Sequence, residues 1–424
     1  MKNHFRLGRN LLLVSFILLA LQPFGLREAS AQAAELFVSP SGSGTDCTQA
    51  NPCDAGQAMT NAVTGDTIYF MGGTYTSTND PYLVINKAVS LMGGWDGSPT
   101  GDVVVDPAAY PTTLNGEDTR SLFTVNDTSG AGELITITGF TFQNGKIYLS
   151  GGAIRVREGR VTIQGNIFRE NSSDNYGGAI GVESGFDVQI LGNSFYDNEV
   201  VYGGGSISIG SSDPDNTTCV IDGNYFSGGY ADYGSVISNS SSTMIVNRNT
   251  FVDTLGESVI MVSSTGPTSI ISNNFIIRPA QNAIHLMNSS SVPHQIVNNT
   301  IIGSNYGLFV YNNALVNVVN NIITGTNQSI RFTGGTLTGS NNLFYDNTSD
   351  PNPLTDPVYA DPEFIDPLAD DYHIGEDSPA VNAGTTVALD EDYDGDARPS
   401  GGGYDIGADE IEGGCLAYLP LVLK

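Results

Sequence analysis

Several sets of side chains in this chain are of types and spacings that could do chemistry. Asp390, Asp392, Asp394 and Asp396 alternate along a short run broken by Gly395. Oxygen ligands at alternate positions ahead of a glycine turn can wrap Ca2+, although Gly401 stands where an EF-hand loop would place its last glutamate. Asp405 or Asp409 would complete such a half-site. A solvated acidic turn fits the same residues, because Asp-Gly steps are ordinary turn formers. Arg155, Arg157 and Glu183 offer a cation and a carboxylate, weak catalytic candidates whose plainer role is surface salt bridging. His285, Phe309, Tyr311 and Arg331 combine aromatic faces with cations, a set that stacks on sugar rings and pairs with carboxylates if exposed. If loops cover it, the same set merely fills an interface. Cys47 and Cys53 enclose Thr-Gln-Ala-Asn-Pro and are expected to close a local disulfide after export. The spacing of Cys219 and Cys415 leaves their pairing open. The chain has no Cys-x-x-Cys step or Cys/His ligand set, which argues against zinc.

Composition narrows what these groups can serve. Lys2, Arg6 and Arg9 precede an apolar run from Leu11 to Leu21 and then Ala29-Ser30-Ala31, the pattern of a secretory leader spanning 1–31. That run is too short for a bilayer helix, so no transmembrane span is expected in the mature chain. The formal net charge is −29, and removing the leader leaves 12 basic against 44 acidic residues, or −32. Nucleic acid is excluded as a partner by such a balance, and neutral or cationic ligands are favoured over anionic ones. Charged residues make up only 14% of the chain while glycine reaches 51. The surface must therefore be mostly uncharged polar, as in a secreted all-β repeat.

The elements that must position these side chains come from a repeat. Gly165-Asn166-Ile167-Phe168, Gly192-Asn193-Ser194-Phe195 and Gly223-Asn224-Tyr225-Phe226 share one phrase. It continues in looser form at Asn249, Asn274, Asn299, Asn321 and Asn342, with steps of 27, 31, 25, 25, 25, 22 and 21 residues from Asn166 onward. A second phrase runs in step: Gly152-Ala153-Ile154, Gly178-Ala179-Ile180, Gly205-Ser206-Ile207, Ala283-Ile284, Gly307-Leu308 and Ser329-Ile330. Each coil then holds at least three short strands, near Ile154, Val161-Thr162-Ile163 and Ile167-Phe168. The asparagine is read as the bend between the last two, tolerant of left-handed backbone and able to bond its equivalent one coil away. The Phe or Ile two residues later points inward, and each coil shelters its neighbour's core. Seven steps from the Ile154 coil to the Ile330 coil at ~4.8 Å per coil rise roughly 34 Å.

Both ends of such a stack need covers. Asp54 followed by Ala55 to Val63 is predicted to be a capping helix, with Gly65 to Phe70 as the first strand. Past Asp350 the phrase stops, and Asp-Pro steps mark an extended segment packed across the last coils.

These phrases resemble the secreted right-handed parallel β-helix proteins of the pectate-lyase-like superfamily, over residues 36–345. Ser378-Pro379-Ala380-Val381-Asn382-Ala383-Gly384, Asp394-Gly395-Asp396-Ala397-Arg398-Pro399 and Asp405-Ile406-Gly407-Ala408-Asp409-Glu410 are similar to the choice-of-anchor Q domain, over 346–412. The apolar tail 413–424 is read either as a last strand or as an attachment signal. The resemblance implies a secreted, extracellular or cell-surface setting. It also implies that the outer face of the Ile154-type strands is where enzymes of this fold hold substrate. Alternation turns one column outward through Arg155, Gly181, Ser208, a residue near Ser238, Met261, His285, Phe309 and Arg331. A second column two residues on holds Arg157, Glu183, Met287 and Tyr311. A lyase of this fold would use Arg or Lys to take a sugar proton, aided by calcium, but no carboxylate cluster stands beside these arginines. The readings are then a monomeric, non-catalytic protein binding polysaccharide or another surface component, a polysaccharide lyase or glycoside hydrolase on that face, and a structural spacer.

Overall fold

The computed structural model describes residues 33–411 apart from 129–131, 185–186, 211–216, 232–234, 264–266, 288–291 and 351–353. The expected leader, the apolar tail and Cys415 lie outside the described residues. The described residues from Ala34 to Ile411 belong to one compact unit.

That unit is a parallel β-helix. Each coil passes through three sheets whose strands pair only with the coils before and after, so strand order follows chain order. The first sheet has twelve strands, from Glu35–Val38 through Arg160–Gln164 to Thr336–Ser340. The second also has twelve, from Gly73–Tyr75 through Ile167–Arg169 to Val358–Tyr359. The third has ten, from Leu83–Ile85 through Ile154–Glu158 to Gln328–Phe332. A four-stranded ribbon between the second and third sheets starts at Lys146–Ile147 and ends at Tyr230–Ala231.

Register is set by inward apolar columns. In the first sheet Ile163, Ile190, Ile221, Val246, Ile271, Ile296 and Val318 lie one above another. In the second, Phe142, Phe168, Phe195, Phe226 and Phe251 stack nearly parallel, with centroids 4.6–5.0 Å apart. All are buried, each ring contributing about 2–3 kcal/mol of apolar burial. A slip of one residue would expose every member of a column.

The corner between the first and second sheets works differently from its reading in the sequence. Left-handed backbone belongs to the residue before the repeated asparagine: Gly165 at φ 61°, Gly192 at 58°, Gly223 at 65°, then Arg248, Asn273, Asn298, Asn320 and Asn341 between 51° and 56°. The repeated asparagine is instead a buried rung. Asn249 Nδ2 donates to Asn274 Oδ1 (3.0 Å), to Ile221 O (2.9 Å) and to Asn247 O (2.8 Å), while its Oδ1 accepts from the Asn224 backbone N–H (2.9 Å). The same pattern links Asn166, Asn193, Asn224, Asn249, Asn274, Asn299, Asn321 and Asn342. A sharp corner buries peptide groups that no strand can satisfy, and this amide ladder satisfies them.

The N-terminal cover is a helix at Ala55–Asn61, two residues shorter than predicted because Ala62 is already extended. Asp54 accepts the Gln57 N–H (2.8 Å), and Lys87 Nζ bonds the carbonyls of Met59 and Ala62 at the other end. The first strand is Glu35–Val38, paired with Thr67–Met71, and not the segment from Gly65. Glu35-Leu36-Phe37-Val38 has three apolar residues in a row and so carries no alternation to signal a strand. The segment after Asp350 lies along the second sheet. Ile374, Ala380 and Ile406 pack on Ile322 and Leu343, and Tyr372 and Ala408 pack on Phe275 and Ile277. Asn298 Nδ2 holds the carbonyls of Asp405 (2.9 Å) and Gly407 (3.0 Å).

Candidate functional site

The outer face of the third sheet carries the column expected from the sequence, residue for residue. Arg155, Gly181, Ser208, Ser238, Met261, His285, Phe309 and Arg331 are successive partners across the coils. Chain length varies on both edges of this sheet. On one edge the connection to the first sheet is Gly159 alone after Ile154–Glu158, but 210–217 after Ile207–Ile209. On the other, the path from the second sheet shrinks from 170–179 to 325–327 along the stack.

On this face lies a groove of about 720 Å³, lined by Tyr176, Tyr202, Glu183, Ser208, Ser238 and Met261 among others. Tyr176 is 53% exposed and Tyr202 is 49% exposed, with ring centroids 6.4 Å apart. Ser208 Oγ and Ser238 Oγ lie 3.2 Å apart on the floor. Gly181 has no room for a side chain, because a Cβ there would stand 2.8 Å from the Gly151 nitrogen. These tyrosines were missed in the sequence. The available signal was an aromatic residue immediately before the glycine pair, in Tyr176-Gly177-Gly178 and Tyr202-Gly203-Gly204.

Arg155 and Glu183 meet at the rim. Nε and Nη2 of the arginine bond the two carboxylate oxygens at 2.8 Å each, a bidentate pair in which both partners are partly exposed. Arg157, two residues on, is exposed. The arrangement holds a cation and an anion against each other more than it presents either to a ligand.

His285, Phe309, Tyr311 and Arg331 do come together, though not as an open surface. The His285 ring lies on Phe309 (4.4 Å, 12° between planes), and the Arg331 guanidinium lies over Phe309 (5.0 Å) and Tyr306 (4.8 Å). Tyr311 is 41% exposed, but His285 is only 4% exposed and both its ring nitrogens lack hydrogen-bond partners. Burial pushes the His285 pKa down to about 4, so the ring is neutral at physiological pH. Of the four residues expected to be exposed, His285 is buried beneath Phe309, Phe309 and Arg331 are half-buried, and Tyr311 is exposed at the edge.

The Asp390 to Asp396 run does not converge on a point. Asp392 is fully buried, its Oδ1 accepting the N–H groups of Asp394, Gly395 and Asp396 and its Oδ2 that of Glu410. Asp390, Asp394 and Asp396 are exposed. Asp394 instead approaches His373 and Asp409, whose ligand-type atoms lie with its own within 4.8 Å of one another. Burial raises the Asp409 pKa to about 6. Cys47 and Cys53 are joined as a disulfide. Cys219 is a buried free thiol, its pKa pushed up to about 12 by burial.

A family model described as the right handed beta helix region matches residues 123–295. In overall structure the chain is similar to pectate lyase Pel9A, with a TM-score of 0.50 and 13% identity over 90% of this chain and 97% of that one. It is also similar to XylC solved with xylose (TM-score 0.46, 12% identity, 90% and 99% covered). A mannuronic acid specific polysaccharide family 6 lyase from human gut microbiota gives a TM-score of 0.44 at 14% identity, with 77% and 83% covered. No curated protein matches the sequence. The family match and the likeness to Pel9A establish the fold as a right-handed parallel β-helix.

Proposed function

We propose that this chain is an extracellular or cell-surface protein that binds a neutral polysaccharide, without cleaving it, in the groove on the third sheet. The observation that carries the reading is the pair of exposed rings, Tyr176 and Tyr202, on adjacent coils above a floor of serine hydroxyls. Aromatic faces supply apolar contact to sugar rings, and hydroxyls supply exchangeable hydrogen bonds. A net charge of −29 disfavours polyanions, and the arginine at the rim is already paired with Glu183. The leader pattern, the disulfide and the charge-poor polar surface support an extracellular setting.

The test is retention on immobilised neutral and uronate polysaccharides, by affinity electrophoresis, for the wild type and a Tyr176→Ala/Tyr202→Ala double variant. A loss of at least about tenfold in affinity, or about 1.4 kcal/mol, is expected for the variant on a neutral glycan. Retention unchanged by the double substitution sinks the reading. A second reading, a lyase or hydrolase on the same face, draws on Arg157, exposed beside the Arg155–Glu183 pair. New reducing ends or unsaturated products, with or without calcium, establish that reading in place of the first.

A further inference from the structure

Three stretches of the C-terminal segment converge over the second sheet: the strand Asp371–Ile374, the turn at 390–396 and the run 405–410. Four carboxylates there are at least nine-tenths buried, namely Asp392, Asp405, Asp409 and Glu410, against the single buried guanidinium of Arg398. Buried charge must be met by opposite charge or by hydrogen bonds. Asp392 has its four amides. Asp405 accepts the N–H groups of Asn382 and Ile411, and Glu410 accepts those of Ser400 and Asp405 together with Arg398 Nη1 at 2.7 Å. Asp409 is supplied far less well. The Ile374 N–H bonds one of its oxygens (2.8 Å), and the carboxylate faces His373.

His373 is set up as a ligand. Its Nδ1 lies 2.5 Å from Asp371 Oδ1, a contact that fixes the ring and favours the tautomer with its proton on Nδ1, because a carboxylate accepts. Its Nε2 is buried, lies 3.0 Å from Asp394 Oδ2, and yet makes no in-line hydrogen bond. Carboxylates gathered around one imidazole call for positive charge, supplied either by a proton on Nε2 or by a bound cation, and a proton there would be expected to make the hydrogen bond that Nε2 lacks. A carboxylate holding the far nitrogen of a histidine is the usual support of a metal-bound imidazole.

We infer that His373 Nε2, Asp394 and Asp409 hold one divalent zinc-class cation, with Asp371 as a positioning residue behind the imidazole. A nitrogen 3.0 Å from an oxygen leaves room for an ion about 2.1 Å from each. The donor set of one imidazole and two carboxylates selects a borderline first-row ion over Ca2+, which prefers six or more oxygens. The absence of a Cys/His motif in the sequence does not bear on a site built from one histidine and two aspartates far apart in the chain. The ion would tie the three stretches together beside Phe275 and Tyr393, whose rings pack against His373, and so clamp the cover onto the coils. This site is independent of the glycan groove.

The experiment uses the full mature chain, stripped with chelator and titrated with zinc chloride or calcium chloride by calorimetry, with melting temperature as the second readout. The expected result is uptake of one Zn2+ with a raised melting temperature, at least about 100-fold weaker uptake in His373→Gln and Asp409→Asn, and 10- to 100-fold weaker uptake in Asp371→Asn. No zinc uptake, uptake unchanged in those variants, or a preference for calcium overturns the assignment. Zinc-edge absorption of the loaded wild type keeps the test decisive if a variant does not fold. Imidazole scattering in an all nitrogen and oxygen shell is expected, and a sulfur shell or no imidazole overturns it.

Discussion

Replacing Asn249 by alanine tests the idea that the corner ladder, more than the corner's backbone geometry, holds the coils together. The side chain is 0% exposed and makes hydrogen bonds on both sides of its own coil. Truncation leaves the Asn224 backbone N–H buried without an acceptor, a loss of about 1–3 kcal/mol. It also removes the donors to Ile221 O and Asn274 Oδ1, about 1 kcal/mol each net, and leaves a small void. The sum is about 4 kcal/mol. Asn249→Asp keeps the acceptor for Asn224 but turns a carboxylate toward carbonyl oxygens, so it is expected to lose a similar amount near neutral pH. Urea denaturation supplies the midpoint, and hydrogen exchange shows whether protection falls first in the coils of Asn224 and Asn274, as nearest-neighbour coupling requires. A loss below about 1 kcal/mol for Asn249→Ala, against the cost worked out above, would refute the reasoning.

Three further outcomes follow from the same geometry. Phe226→Ala opens a hole between Phe195 and Phe251 and is expected to destabilise by about 3–5 kcal/mol in urea denaturation, while Phe226→Leu loses much less. His285 titrates near 6.5 when unfolded and about 4 when folded, so the unfolded chain binds the extra proton in that window and stability falls as pH drops through it, by about 3 kcal/mol in all. His285→Phe should flatten that part of the stability profile, leaving the smaller loss from His294, whose pKa burial also lowers; an unchanged profile contradicts the assignment. A double-mutant cycle on Arg155→Ala and Glu183→Ala should give a coupling of about 1 kcal/mol, reduced by salt, and zero coupling means the pair is not held in solution as described.

The column from Arg155 to Arg331 was legible because a parallel stack repeats one alternation, so aligning Ile154 with Ile180 and Ile330 aligns everything between. Asn166 was legible as a rung but mistaken for the left-handed residue, since Gly165 and Asn166 both tolerate that backbone and only coordinates say which adopts it. His285 was read as exposed from its outward direction alone. Direction along a strand says nothing of what lies above it, and here Phe309 covers the ring. Tyr176 and Tyr202 went unread because the second phrase was anchored on the residues after the glycines. Of the His373, Asp394 and Asp409 grouping, Asp394 and Asp409 were read from the acidic run as a possible half-site, while His373 carried no local signal. The grouping joins residues from separate irregular stretches, where no period relates sequence distance to distance in space.

In every coil from Arg160–Gln164 to Thr336–Ser340, two residues separate the first-sheet strand from the second-sheet strand, while the connections beside the third sheet differ from coil to coil. The molecule thus divides its tolerance for insertion. A spine of invariant joints carries the mechanical coupling from one winding to the next, and the opposite rim is free to lengthen or shorten without disturbing it. Grafting a longer loop at 240–242 should therefore reshape what the rim can grip while leaving the unfolding cooperativity of the spine as it was.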